Sequence, residues 1–209
     1  MKAIVAALMT VFCVSSAHAA NIWSRPRING IGGTNIFING VIHRGDEKIF
    51  SAYAKQAALP VFVYPAGPGG DVFAALTISD MIAELGYTTI VENGYNCASA
   101  CALIWASGYA NHAIARNSAL IRFHSCANYE VGDRQGQDDM ECNYIIMKHL
   151  KGYGFSDLQA RWAVLAPHET TILATKGLTA SLGFNWQWIP AYFPGWADYC
   201  QARLCIAVP

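Results

Sequence analysis

Charge is scarce in this chain. Lys and Arg number 14 against 14 Asp and Glu, only 13% of 209 residues, and the formal net charge is zero. Such a balance offers no electrostatic footprint for nucleic acid or an anionic membrane, and neither is expected as a partner. Long apolar runs are missing too. A membrane-spanning helix needs about 20 consecutive apolar residues, and the N-terminal apolar core is shorter. The Walker phosphate loop and the GxGxxG spacing of dinucleotide sites are absent, as are low-complexity linkers and convincing internal repeats. The six histidines are scattered, and the CxxxC and CxxxxC spacings lack a second matched pair. Neither a metal nor a cofactor is therefore expected.

What the chain does have is apolar mass. A hydrophobic content of 54% argues for a compact globule and against disorder. Residues 1–19 combine a basic start at Lys2, an apolar stretch Ala3–Val14 and an Ala17-His18-Ala19 exit. That pattern reads as a secretory signal peptide cleaved after Ala19, which predicts a periplasmic or secreted protein. The remaining residues 20–209 suit one domain. Of seven cysteines, Cys13 leaves with the leader and six stay. In an oxidising compartment an even count favours disulfides, and proximity suggests Cys97–Cys101, Cys126–Cys142 and Cys200–Cys205.

Two motifs carry chemistry. In NCASACALIWASG, residues 96–108, Ser99 sits between small residues where an apolar helix begins, and His124 follows 25 positions later in RFHS. A hydroxyl becomes a useful nucleophile when a base can take its proton, so the two form a candidate pair. The bland alternative is a helix-capping Ser99 and a core histidine. Upstream, VFVYPAGPGGDVFAALTISDMIAELG, residues 61–86, predicts a buried strand Val61–Tyr64, a turn at Gly67, Gly69 and Gly70, and a helix from Asp71 to Leu85. Glycines at such a connection let backbone N–H groups approach an oxyanion.

Together these motifs resemble the Clp-type serine protease and crotonase superfamily, in its periplasmic ClpP-like branch. The resemblance spans roughly residues 34–189. It rests on NIFINGVIHRGDEKIF, the glycine pair before a helix, CASAC, the step to FHS, and a late TKGLTASLGF, all in the family's order. It implies an α/β, ClpP/crotonase-like fold with repeated strand-helix units and a more helical C-terminal half. It further implies Ser99 as nucleophile, His124 as general base, and the N–H groups of Gly70 and Ala100 as oxyanion hole. Counting back from Leu182-Gly183 puts Thr171 at or near the family's acid position. Glu169, two residues earlier, becomes the candidate orienting acid, with His168 and Thr170 as weaker ones and a dyad or an inactive site as alternatives. The implied activity is peptide hydrolysis through an acyl-enzyme, on peptides or unfolded polypeptides, with self-association into a homo-oligomer. Export removes a Clp ATPase as partner and sets acyl-CoA chemistry aside. A disulfide-stapled, non-catalytic binding protein is the competing reading.

Further strands are predicted at Asn35–Ile42, Thr88–Glu92 and Ala119–Phe123, with a helix over Ser99–Ser107. In the second half Asp138-Asp139 precedes a helix with Met140, Tyr144, Met147 and Leu150 on one stripe, read as core or interface. Ser156 and Gln159 form a capping-box pattern before a helix that stops by Pro167. The tail from Trp186 onward is aromatic-rich and broken by Pro190 and Pro194.

Overall fold

The computed structural model describes residues 19–27, 32–108, 112–128, 137–184 and 187–189. Residues 1–18, which hold most of the expected leader, the tail beyond 189 and the expected Cys200–Cys205 bridge lie outside the described residues.

Strand β1 (Asn21–Pro26) pairs antiparallel with β2 (Thr34–Ile42), and α1 (Asp46–Ala54) follows. Neither β1 nor α1 is evident from hydrophobic periodicity. Next comes β3 (Val61–Gly70), and its length corrects an expectation: the glycine segment is a continuation of the strand, not a turn. The ladder with β2 runs on to Ile42 opposite Gly70, past an irregularity between Asn39 and Val41. Glycine permits this close approach. A Cβ on Gly70, whose φ is 138°, would lie 2.1 Å from the Ile42 carbonyl oxygen.

Helix α2 (Val72–Glu84) is capped by Asp71, whose carboxylate accepts the Ala74 N–H at 2.8 Å. Then follow β4 (Thr88–Val91), β5 (Asn96–Ala98), α3 (Ala100–Ala106), β6 (Ala113–Arg116) and β7 (Leu120–Phe123). Strand β3 serves two parallel branches. Its first half pairs with β4, which pairs with β6, while Gly67 near its end pairs with Cys97 of β5, which pairs with β7. Helix α3 fills the space between them with every residue buried, and Trp105 donates its indole N–H to the Ile114 carbonyl at 2.9 Å. Burying so large a ring without that bond would leave a polar orphan.

The second half adds a short β8 (Ala127–Asn128) and β9 (Gln137–Asp138) pair, then α4 (Met140–Gly152) and α5 (Asp157–Ala163). The capping box forms as expected, with Ser156 N–H donating to Gln159 Oε1 at 2.8 Å and Gln159 N–H to Ser156 Oγ at 3.3 Å. The α4 stripe is rotated from the expected one. Cys142, Asn143, Ile146 and Leu150 are buried, while Met140 and Tyr144 are 81% and 66% exposed. Local attachments set that rotation: Cys142 is bonded to Cys126, and Asn143 Oδ1 accepts the Cys126 N–H at 2.7 Å. Finally β10 (Ile172–Leu173) pairs antiparallel with β7, α6 (Lys176–Ser181) follows, and β11 (Gln187–Ile189) pairs parallel with β6.

Candidate active site

Ser99 occupies the junction between β5 and α3, with φ 55° and ψ −128°. A non-glycine residue there carries about 1–3 kcal/mol of backbone strain. A helix-capping role is not what holds it, because its side chain makes no cap hydrogen bond. The backbone is held instead: Ser99 N–H donates to the Arg122 carbonyl of β7 at 2.9 Å, and the Ser99 carbonyl accepts the Ala102 N–H at 2.8 Å. The Cys97–Cys101 disulfide straddles the junction, as the cysteine spacing suggested. A sharp strand-to-helix turn of this kind pushes a serine hydroxyl out of the backbone's own hydrogen bonding.

The glycine segment of β3 lies directly against that turn. A Cβ on Gly69 would meet Ser99 Cβ at 2.6 Å, the Ala98 carbonyl at 2.8 Å and Ala100 N at 2.9 Å. Gly69 therefore lets the end of β3 reach the elbow. Ala100 is the first residue of α3, and its N–H is among those that helix geometry leaves without an intrahelical partner. Gly70 follows at the same strand end, just before the Asp71 cap.

His124 follows β7 as Ser99 follows β5, and these two strands are parallel neighbours. Both residues line one small cavity of about 10 Å³ with Val72, Leu103, Phe123 and Ile146. No hydrogen bond joins Ser99 to His124 in this conformation, a looseness common before substrate binds. His124 Nδ1 lies 2.6 Å from the Ser125 carbonyl oxygen. A carbonyl only accepts, so Nδ1 is the nitrogen that donates in this contact, which leaves Nε2 as the nitrogen able to serve as a base.

Glu169, the expected orienting acid, is turned elsewhere. Its side chain is 63% exposed and its carboxylate lies 3.6 Å from His168 Nε2. The antiparallel register pairs Ile172 with Phe123, and Thr171 and His124 are the residues just beyond that pair. Thr170 Oγ1 donates to the Pro167 carbonyl at 3.3 Å. Among the described residues, no carboxylate is hydrogen-bonded to the His124 ring.

A carboxylate does reach its neighbour. Ser125 Oγ donates a very short hydrogen bond to Asp138 Oδ1. The same oxygen accepts the His168 backbone N–H at 3.0 Å and its Nδ1–H at 2.9 Å. These bonds, with Ser125 first, hold the Asp138 carboxyl below the usual carboxylate range. Ser125 N–H also donates to the Ala166 carbonyl at 2.7 Å. Sequence reading used Asp138 only as a helix-start signal, since nothing local ties it to Ser125, 13 residues earlier.

Beside the small cavity runs an open groove of about 920 Å³, lined by Val41, Arg44, Gly70, Phe73 and the Cys126–Cys142 bridge among others. Val72 and Cys126 belong to both. Among the described residues no cluster of three or more His, Cys, Asp or Glu is arranged to hold a metal ion.

No family model and no curated protein matches the sequence. Solved structures do match in shape. A point mutant of ClpP1 from Listeria monocytogenes superposes with a TM-score of 0.56 at 18% identity, over 75% of this chain and 91% of that one. A point mutant of the 1510-N membrane-bound stomatin-specific protease gives a TM-score of 0.56 at 14% identity, over 73% and 77%. At such identities the likeness is one of fold, and this chain shares the mixed α/β, ClpP/crotonase architecture of those proteins.

Proposed function

We propose that the chain is an exported serine hydrolase that cleaves peptide bonds. The observation that carries the reading is the strained, uncapped Ser99 beside a His124 whose Nδ1–H is held by a carbonyl. Nε2 of His124 takes the hydroxyl proton as Ser99 Oγ bonds the substrate carbonyl carbon. The resulting oxyanion is received by the N–H groups of Gly70 and Ala100. Nε2 then delivers its proton to the departing amine as the C–N bond breaks, leaving an acyl-enzyme. Water, deprotonated by the same nitrogen, releases the acid and restores Ser99. Fluorophosphonate labelling, with the adduct mapped by peptide mass spectrometry, tests this, because only an activated serine reacts.

Asp138 acts in place of a direct acid at one remove, fixing Ser125 so that its carbonyl holds His124. Supporting groups of this kind contribute about 10–100-fold in activity. Asp138→Asn is expected to lower kcat within that range with KM kept, and an equal loss in both would mark a merely structural role.

The cavity at Ser99 also sets the substrate. About 10 Å³ bounded by Val72, Leu103, Phe123 and Ile146 has room for about one water or methyl group. Peptides with Ala or Gly before the cleaved bond are expected to exceed those with Leu by about tenfold or more in kcat/KM. Ile146→Ala should narrow that ratio. Indifference to residue size in a peptide series would remove the cavity from substrate recognition.

The second reading, a non-catalytic binding protein on the same fold, is favoured by the lack of any Ser99–His124 hydrogen bond. A folded chain that no fluorophosphonate labels supports it.

A further inference from the structure

Asp46 is a buried carboxylate with no cation beside it among the described residues. It is 1% exposed, and a buried carboxylate ordinarily has a cation beside it. Asp46 has none: among the described residues, no Lys, Arg or His nitrogen lies within 4 Å of it. Its Oδ2 accepts two backbone N–H groups, from His43 at 2.8 Å and from Ala20 at 3.2 Å. Its place at the start of α1 adds the favourable end of a helix dipole. Two neutral donors and a dipole leave a full negative charge without a full positive one.

Ala20 is the residue that follows the expected cleavage point. It is itself buried, whereas Ala19 before it is exposed. We propose that processing after Ala19 supplies the missing cation: the new α-ammonium of Ala20 pairs with the Asp46 carboxylate. Hydrolysis by a signal peptidase, with water as co-reactant, breaks the Ala19–Ala20 C–N bond. The carboxylate leaves on Ala19, and the amine stays on Ala20 and takes up a proton. The nitrogen is already aimed at Oδ2, so one N–H keeps its partner.

The consequence reaches the open groove lined by Gly70 through short steps. Asp46 Oδ2 holds the His43 turn, and the adjacent Ile42 pairs with Gly70 and accepts the Asp71 N–H at 2.8 Å. A mature N-terminus anchored on Asp46 thus braces the end of β2 against the strand end that carries Gly70. The inference rests on export and cleavage, and is independent of the serine-hydrolase reading.

The test compares a chain beginning at Ala20 with the same chain carrying residues 17–19, and with an Nα-acetylated Ala20 form. The free-amine form is expected to melt about 4 °C or more above both others, and Asp46→Asn should collapse the difference. Should that variant fail to fold, the α-amine of the folded wild type is expected to react with an amine-directed acylating reagent at least tenfold more slowly than that of the denatured chain. N-terminal sequencing of the exported protein should begin at Ala20. Equal melting of the three forms, an α-amine as reactive folded as unfolded, or a different first residue would each overturn the proposal.

Discussion

Ser99→Ala is expected to abolish fluorophosphonate labelling and any peptide hydrolysis while leaving the fold intact. Losing the nucleophile of a serine hydrolase lowers kcat by about a millionfold. The structural cost is small for a specific reason: no hydrogen bond from the Ser99 hydroxyl appears among the described residues, and its backbone contacts to Arg122 and Ala102 do not involve the side chain. Alanine meets the same strain at φ 55° that serine does. The melting temperature should therefore stay within about 2 °C of the wild type. Ser125 provides the internal control. It lies beside His124, but it is buried and its hydroxyl is given to Asp138. Labelling that persists in Ser99→Ala, or an adduct found on Ser125, would defeat the assignment of Ser99 as nucleophile.

Gly69→Ala should remove both stability and activity. The added methyl would sit inside 3 Å of three atoms of the elbow, Ser99 Cβ, the Ala98 carbonyl oxygen and Ala100 N, two of them backbone. The φ of 105° is itself unfavourable for alanine. Overpacking and strain together cost about 3–5 kcal/mol, roughly 10 °C in melting temperature for a chain of this size. Relief requires β3 and the elbow to separate, and that displaces Gly70 from Ala100. The comparison is Gly152→Ala, where nothing lies within 4 Å and φ is ordinary, so α4 should be unaffected or slightly steadier. A Gly69→Ala chain that melts and labels like the wild type would show that the close contact at the elbow is dispensable.

The legible parts of this protein are those whose signals act over a few residues. Apolar runs located the β2, β4 and β7 strands within a residue or so and the first half of β3, and periodicity and capping located α2 and α5. Cysteines four residues apart around Ser99 are bonded, and so are Cys126 and Cys142. The elements that escaped are short or gain their form from partners. Strand β5 has only three residues, paired between β3 and β7, and β10 exists as an edge on β7. The glycines of β3 read as a turn because glycine is usually punctuation. Here their missing side chains let two strands and the elbow crowd together.

The candidate site divides along the same line. By itself the sequence determined that a serine would stand between small residues where an apolar helix begins, that a histidine would end an apolar run, and that glycines would precede a helix. Each of those follows from local spacing and backbone preference. Only the tertiary structure decided the φ of Ser99, the contact of His124 Nδ1 with the Ser125 carbonyl, and the turning of Glu169 toward His168. It also decided that Asp138 arrives at Ser125 across 13 residues and at His168 across 30. The reason is physical. Carboxylates and imidazoles choose among partners by distances of a few tenths of an ångström, and those distances are set by how remote segments pack.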